Sequence, residues 1–163
     1  YGRVVYGQYG SPRFYPNAID GHYVDIVPFY NFIVSPKPIL TIDDLLNNFD
    51  FTANAIGINI KTGTIYDPVH GITDINNRVL RAVRLDFPER PVSSDIPLSA
   101  VSVFWFRLLH FQNKLGFEFE KQTKEWIIEN AHRIKDIELF KKYFFTPQIS
   151  KELNIYINKC SHR

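Results

Sequence analysis

Short apolar stretches with a period of two residues dominate the first 70 positions, and this pattern predicts β-strands joined by loops. Three of them are rich in β-branched and aromatic residues, and they cover residues 4–6, 23–27 and 56–60. Residues 61–64 contain a glycine suited to a tight turn, so 56–60 is expected to pair with 64–66 as a hairpin. Prolines and glycines predict an irregular loop over the segment that follows the first strand, residues 11–21.

Helical signals replace this pattern after Asp74, and one short helix start is predicted earlier, at Thr41. Thr41 and Thr73 are predicted to cap short helices, the second of them running through Val83. A Pro-rich connector is expected over 86–97. After it, apolar residues recur with a period near 3.6, and helices are predicted over 98–115, 120–134, 137–144 and 147–157, with Asp136 and Thr146 as caps of the last two. The order of elements predicts an α+β fold followed by an all-helical part.

The composition indicates a folded protein with a hydrophobic core. With 163 residues, 45% hydrophobic and 15% aromatic, the chain can bury a substantial core. No apolar run reaches the roughly 20 residues that cross a bilayer, and no secretory signal is visible, so no membrane partner is expected. The single cysteine, Cys160, excludes an internal disulfide and fits a cytoplasmic location. The absence of methionine predicts that the chain is an interior or C-terminal part of a longer protein.

Charge and histidine content indicate little about chemistry. The net charge of +2 gives weak steering toward nucleic acid, although lysines and arginines concentrate in the last third of the chain. Those cations fit solvated helix faces best, with an RNA-facing stripe as the alternative. The five histidines show no metal-ligand spacing. The aromatic runs at 103–106 and 143–145 are most simply packing residues, with base stacking as the less favoured alternative.

The most specific pattern lies between Asp50 and Arg81. It reads Asp50-Phe51-Thr52-Ala53-Asn54-Ala55, then Asp67-Pro68-Val69-His70-Gly71-Ile72-Thr73-Asp74, then Arg78-Val79-Leu80-Arg81. This order and spacing resemble the head domain of the template-independent tRNA nucleotidyltransferases and bacterial poly(A) polymerases. The resemblance implies a polymerase-β-like nucleotidyltransferase head with a mixed β-sheet over 1–85, joined by the connector 86–97 to a helical, RNA-binding-like neck over 98–163.

The resemblance also implies an activity and its ligands. Such enzymes add nucleotides from ATP or CTP to RNA 3′ ends, tRNA among them, with Mg²⁺. Their main metal motif, an Asp-x-Asp after a Gly-rich turn, is missing here and is expected upstream of Tyr1, so this chain alone is predicted to be inactive. Asp25 is the candidate catalytic carboxylate and weak metal ligand within the chain. Flanked by Val24 and Ile26 on a strand, it is expected on the polar face, where an ordinary exposed acid is an equally good interpretation.

The remaining site residues follow from the motif positions. Asp50 is assigned a catalytic and nucleotide-binding role, and Asn54, Arg81 and Arg107 are assigned to nucleotide binding. Asp50 and Asn54 could equally satisfy nearby backbone groups as a local cap. The residues expected to have supporting structural roles are Asp67, Gly71 and Asp74.

Two departures from the family pattern leave two functions open. Asn48 and Phe49 replace paired arginines, and residues 100–104 replace the residues that read the incoming base. The loss of these groups favours a non-catalytic module that binds RNA, nucleotide or a protein. The intact Asp50–Asn54 segment favours a nucleotidyltransferase, and we expect the longer protein to be the enzyme.

Overall fold

The computed structural model describes residues 2–6, 12–16, 22–26 and 38–161. Backbone contacts divide the chain into two compact units, Tyr1–Thr41 and Ile42–Arg163. This division lies well before residue 85, so the head and neck boundaries predicted at 85 and 98 stay predictions. Each unit is described by itself below.

The first unit contains a three-stranded antiparallel sheet of β1 (Arg3–Tyr6), β2 (Pro12–Tyr15) and β3 (Val24–Asp25), in that order. The predictions of strands at 4–6 and around Val24 are confirmed, and Val27 lies outside the described residues. The prediction of an irregular loop over 11–21 is wrong for β2, because Phe14 and Tyr15 pair with β1 and extend the sheet despite Pro12. Pro12 stands at the first position of its strand, where a missing N–H is tolerated.

The second unit is larger and mostly helical. Its strands are β4 (Gly57–Ile58), β5 (Ile65–Tyr66), β6 (Val79–Leu80), β7 (Pro91–Ser93), β8 (Ile96–Ser99) and β9 (Glu118–Phe119). Its α-helices are α1 (Ile42–Leu46), α2 (Gly71–Asn76), α3 (Ala100–Leu115), α4 (Lys121–Glu129), α5 (Ile137–Tyr143) and α6 (Lys151–Ser161). Two 3₁₀ turns, Thr52–Asn54 and Ala131–Asp136, complete the unit.

The short pairings in this unit confirm one prediction and correct two. The predicted hairpin forms, with Ile58 opposite Ile65. The helix predicted from Thr73 through Val83 is wrong. It starts at Gly71 and ends at Asn76, and Arg78 then takes a left-handed φ of 55° that redirects the chain into β6. β6 pairs in parallel with β9, so tertiary pairing overrides the helical pattern. The segment predicted as a plain connector, 86–97, contains the paired strands β7 and β8.

The predicted helices exist with altered ends. α3 begins two residues late because Ser99 caps it, its Oγ accepting from the N–H of Ser102 at 3.2 Å. The predicted helix 120–134 is interrupted at Asn130, where a 3₁₀ turn follows α4. Asp136 stands at the start of α5 but makes no side-chain cap. Thr146 is wrong as a cap, since α6 starts at Lys151 and the Oγ of Ser150 accepts from Leu153 N–H at 3.2 Å.

The hydrophobic core of the second unit is built around α3. Trp105, Phe106, Leu108 and Leu109 are completely buried there. Phe51 and Leu80 belong to the same cluster as the helical side chains, so residues before and after the β7–β8 hairpin share one core. The prediction that the aromatics at 103–106 are packing residues is confirmed. Within the described residues, no helix combines the length and apolar character needed to cross a membrane.

Candidate functional site

The first 3₁₀ turn brings Asp50 and Asn54 together. Asn54 Nδ2 donates to Asp50 Oδ1 at 3.0 Å, and its Oδ1 accepts from the backbone N–H of Phe51 at 3.4 Å. The backbone around the turn is bonded to the segment that follows β6, since Thr52 N–H donates to Arg81 O at 2.9 Å and Val83 N–H donates to Asp50 O at 3.1 Å. Asp50 therefore projects from a turn anchored by main-chain hydrogen bonds.

Arg107 from α3 completes this cluster. Its Nε donates to Asp50 Oδ2, and its guanidinium lies 5.3 Å from the centre of the Phe111 ring, within the range of a cation–π contact. The Phe111 ring is itself 5.0 Å from the ring of Phe51. In the part of the chain that the structure describes, Nη1 and Nη2 of Arg107 have no hydrogen-bond partner, and the side chain is 32% exposed. Asp50 thus orients a guanidinium whose outer edge can take an anion.

A second Asp–Arg pair lies beside the turn. Asp74 is only 4% exposed, and its carboxylate accepts from Arg81 Nε at 2.9 Å, from Arg81 Nη2 at 3.2 Å and from Thr52 Oγ1 at 2.7 Å. Burial raises the pKa of Asp74, but the bonds from Arg81 and Thr52 outweigh it and hold the pKa below the ordinary value. Arg81, predicted to bind nucleotide, instead donates two hydrogen bonds to this carboxylate, and its role at the nucleotide stays a prediction.

Asp67 and Gly71 shape the entry to α2. The two carboxylate oxygens of Asp67 accept from Gly71 N–H at 2.6 Å and from Ile72 N–H at 3.1 Å, which satisfies two free N–H groups at the helix start. A Cβ on Gly71 would lie 2.1 Å from the carbonyl oxygen of Thr52. Only glycine allows α2 to approach the turn so closely. These contacts support the structural roles predicted for both residues.

Asp25 lies in the other compact unit. It is exposed, and its Oδ1 accepts from Arg13 Nε across the β2–β3 pair at 2.8 Å. This hydrogen bond, opposed by a smaller desolvation effect, raises the pKa of Arg13. The register places Asp25 beside Arg13 and on the opposite face from Val24, as its alternation predicted. Its catalytic and metal-binding roles stay predictions.

The described residues do not make a metal site by themselves. Among them, no three histidine, cysteine, aspartate or glutamate side chains cluster closely enough to hold an ion. The carboxylates of Asp50 and Asp74 are both committed to arginines. The residues present therefore do not fit Mg²⁺ as a complete ligand set.

Both departures from the family pattern have a structural consequence. Asn48 Oδ1 accepts a hydrogen bond from Arg84 Nη1 at 2.8 Å, so the guanidinium of Arg84 lies at one of the positions where the family has an arginine. Asp86 Oδ1 accepts a second hydrogen bond from the same guanidinium. Ser102, inside the segment that replaces the base-reading residues, is buried and bonded to Arg133 and Asp136. This segment therefore contributes to packing and to a buried polar network.

Sequence reasoning missed Thr52 and Phe111. Thr52 is 1% exposed and bonded to Asp74, and a Thr at the centre of the motif was available as a signal. Phe111 contacts the cluster because it stands one helical turn after Arg107 on α3, a spacing that predicts a shared face. The pairing of Asp50 with Arg107, 57 residues apart, has no local signal in the sequence.

Comparison with known proteins gives a consistent set of matches. The family model described as the poly A polymerase head domain matches residues 22–81. A CCA-adding enzyme of Actinobacillus succinogenes is 37% identical over 97 residues, covering 60% of this chain and 22% of that protein. A multifunctional CCA protein of Stenotrophomonas maltophilia is 42% identical over 64 residues, covering 39% of this chain and 16% of its own length. The chain thus spans about a fifth of the length of such relatives.

Solved structures match in fold. A CCA-adding enzyme in complex with ATP aligns with a TM-score of 0.61 at 16% identity, over 98% of this chain and 36% of its own. A tRNA nucleotidyltransferase complexed with a primer tRNA and an incoming ATP analog aligns with a TM-score of 0.52 at 20% identity, over 87% of this chain and 45% of its own. The predicted α+β nucleotidyltransferase fold is confirmed.

Proposed function

Because residues 22–81 match the poly A polymerase head domain and the curated relatives are CCA-adding enzymes, we propose that the chain is part of a template-independent RNA nucleotidyltransferase. The enzyme would add nucleotides from an NTP, ATP or CTP, to the 3′ end of an RNA, with tRNA as the favoured acceptor. Relatives named for CCA addition and structures solved with ATP, CTP and a primer tRNA support this choice of ligands. A cytoplasmic location fits the single cysteine.

The cluster of Asp50, Asn54 and Arg107 carries the proposal. Arg107 offers the N–H groups of its two terminal nitrogens to an anion, while its Nε is fixed on Asp50. Asn54 Nδ2 is held on the same carboxylate, which keeps the amide and the guanidinium side by side. Nucleotidyl transfer needs donors that hold the triphosphate in one orientation, and preorganised donors serve this better than flexible ones. We assign Arg107 to the phosphates and Asn54 to the sugar or an adjacent phosphate.

The chemistry itself requires groups beyond the described residues. A divalent metal, Mg²⁺ in our proposal, would supply charge stabilisation at the phosphates when bound. The described residues do not form a complete ligand set for it, so we place its main ligands in other parts of the longer protein. Asp25 remains our candidate for a further carboxylate. The contribution of this chain is to bind and orient the nucleotide, and by itself it is expected to be inactive.

A non-catalytic binding module is the second candidate. It is favoured by Ser102, which is buried in a network with Arg133 and Asp136 where the family pattern places residues that select the base. A chain without those groups would bind nucleotides with little discrimination between bases. The enzyme and the module therefore differ in base selectivity and in extension activity.

Calorimetric titration of ATP, CTP and GTP, with and without Mg²⁺, tests the proposal. We expect binding that Asp50→Ala weakens strongly. Glu138→Ala, which removes an exposed carboxylate paired with Lys141, should leave binding unchanged. Extension of an RNA 3′ end by the full-length protein would then establish the enzyme. Binding without extension would favour the module. An absence of nucleotide binding to the full-length protein would refute the enzyme and leave the module as a binder of RNA or of a protein.

A further inference from the structure

A hydroxyl that the sequence left unassigned connects the two Asp–Arg pairs. Thr52 is the first residue of the 3₁₀ turn and is 1% exposed. Its Oγ1 donates to Asp74 Oδ2 at 2.7 Å. Neighbouring groups of the same turn carry the candidate nucleotide ligands, since Asp50 precedes it by two residues and Asn54 follows it by two.

The acceptor of this hydrogen bond is itself rigidly held. Two nitrogens of Arg81 bind the Asp74 carboxylate, and Arg81 Nη1 lies 3.9 Å from Glu120 Oε1 at the start of α4. Arg81 O accepts from Thr52 N–H at 2.9 Å, so Thr52 is linked to Arg81 through its backbone and, by way of Asp74, through its side chain. A buried carboxylate with two such partners has little freedom to move.

Besides its main-chain bonds to residues 81 and 83 and the bond from Phe51 N–H to Asn54 Oδ1, the turn has only short-range internal bonds among the described residues. Its internal backbone bonds are Asn54 N–H to Phe51 O at 3.2 Å and Ala55 N–H to Thr52 O at 3.0 Å. Such 3₁₀ hydrogen bonds have poorer geometry than those of an α-helix. The orientation of Asp50 and Asn54 therefore depends on how firmly Thr52 is anchored.

We infer that Thr52 is a positioning residue of the nucleotide site: its hydroxyl, held on Asp74, fixes the 3₁₀ turn that presents Asp50 and Asn54. This inference rests on the proposed function for its effect on nucleotide binding. In this arrangement Arg81 holds the Asp74 carboxylate in place. Asp74 in turn holds the Thr52 hydroxyl, which limits the movement of the turn that contains Asn54 and follows Asp50.

Three variants of the full-length protein test the inference. Thr52→Val keeps the shape and removes the hydroxyl, whereas Thr52→Ser keeps the hydroxyl. Thr123→Val is the matched control, since Thr123 is also 1% exposed and its Oγ1 accepts from the N–H of Ala82, the residue after Arg81, at 3.0 Å. A purely structural role would make the two valine variants behave alike.

Two measurements separate the outcomes. For Thr52→Val we expect ATP affinity by calorimetry to fall about tenfold and amide hydrogen exchange at Asn54 and Ala55 to accelerate about tenfold, a change worth about 1.4 kcal/mol. Thr52→Ser should stay near wild type in both, and Thr123→Val should leave both unchanged. Unchanged exchange at these amides in Thr52→Val would overturn the inference, as would an equal loss of affinity in Thr123→Val. If the wild-type protein binds no nucleotide, the proposed function fails, and the exchange data still decide the role of Thr52.

Discussion

Two regions of the second unit each place an aspartate against an arginine, and the pairs differ in what they leave unsatisfied. Asp74 is 4% exposed and receives three hydrogen bonds from Thr52 and Arg81, two of them from the guanidinium. The Asp50 carboxylate accepts one hydrogen bond from Arg107 Nε and one from Asn54 Nδ2. Among the described residues, the two terminal nitrogens of Arg107 have no hydrogen-bond partner.

The contrast separates a structural pair from one able to bind a ligand. A buried carboxylate with all its bonds made stabilises one conformation and offers nothing to a ligand. An arginine fixed at Nε by a carboxylate, with its other edge open, has already lost the conformational freedom that binding an anion would otherwise cost. Motif positions assigned both arginines to nucleotide binding, whereas the contacts favour Arg107.

Gly71→Ala should have the largest effect, because it affects both regions at once. The new Cβ would lie 2.1 Å from Thr52 O, so α2 or the turn must move, at a cost of about 2–3 kcal/mol in the free energy of unfolding. Urea denaturation of the purified variant measures this. Gly57→Ala is the control, since its Cβ would meet Leu46 Cδ1 at an ordinary 3.5 Å. Equal stability of the two variants would show that the close approach is not needed.

Asp74→Asn breaks the fully bonded pair while keeping its shape. We expect a loss of about 2 kcal/mol in the free energy of unfolding, because Arg81 and Thr52 lose a charged acceptor. The same urea experiment on Asp50→Asn should give a smaller loss, since Asp50 lies in a more open cluster. A larger loss for Asp50→Asn would reverse the distinction between the two pairs.

Arg107→Lys tests whether the guanidinium of the more open pair binds the nucleotide. Lysine retains the charge but loses the fork that contacts Asp50 and an anion together, so we expect ATP affinity to fall about tenfold, or about 1.4 kcal/mol. Calorimetry of the full-length protein measures the affinity. Arg90→Lys, a change at an exposed arginine, serves as the control and should leave affinity unchanged. Wild-type affinity in Arg107→Lys would exclude the guanidinium from nucleotide binding.

The pH dependence of stability should give the smallest effect. The pKa of Asp74 is lower in the folded chain than its ordinary 3.8, so its ionised form favours folding above that value. This contribution is lost as the pH falls through the lowered, folded-state pKa. The difference in unfolding free energy between wild type and Asp74→Asn should therefore be constant above about pH 5 and narrow below about pH 4. A difference that stays constant to about pH 3 would mean that the charge of Asp74 adds nothing.

Local sequence determined those parts of the protein that depend on neighbouring residues. The motif from Asp50 to Arg81 lies within the segment that matches the poly A polymerase head domain, and the α+β order of elements followed from the change in apolar period. The turn at Gly63, with φ of 73°, and the helix α3 were also predictable, since a glycine turn and a strongly apolar helix depend on local signals.

Only the tertiary structure decided what each polar residue of the motif touches. The helix predicted through Val83 ends at Asn76 because β6 pairs with β9, nearly forty residues further along the chain. Arg107 binds Asp50, which lies 57 residues earlier in the chain. Arg81 binds the carboxylate of Asp74. Such contacts depend on how the core around α3 brings distant segments together. Residue spacing alone therefore supplied Arg81 and Arg107 as candidates. Packing distinguished them, because Arg107 binds its carboxylate through Nε alone, whereas Arg81 uses both Nε and Nη2.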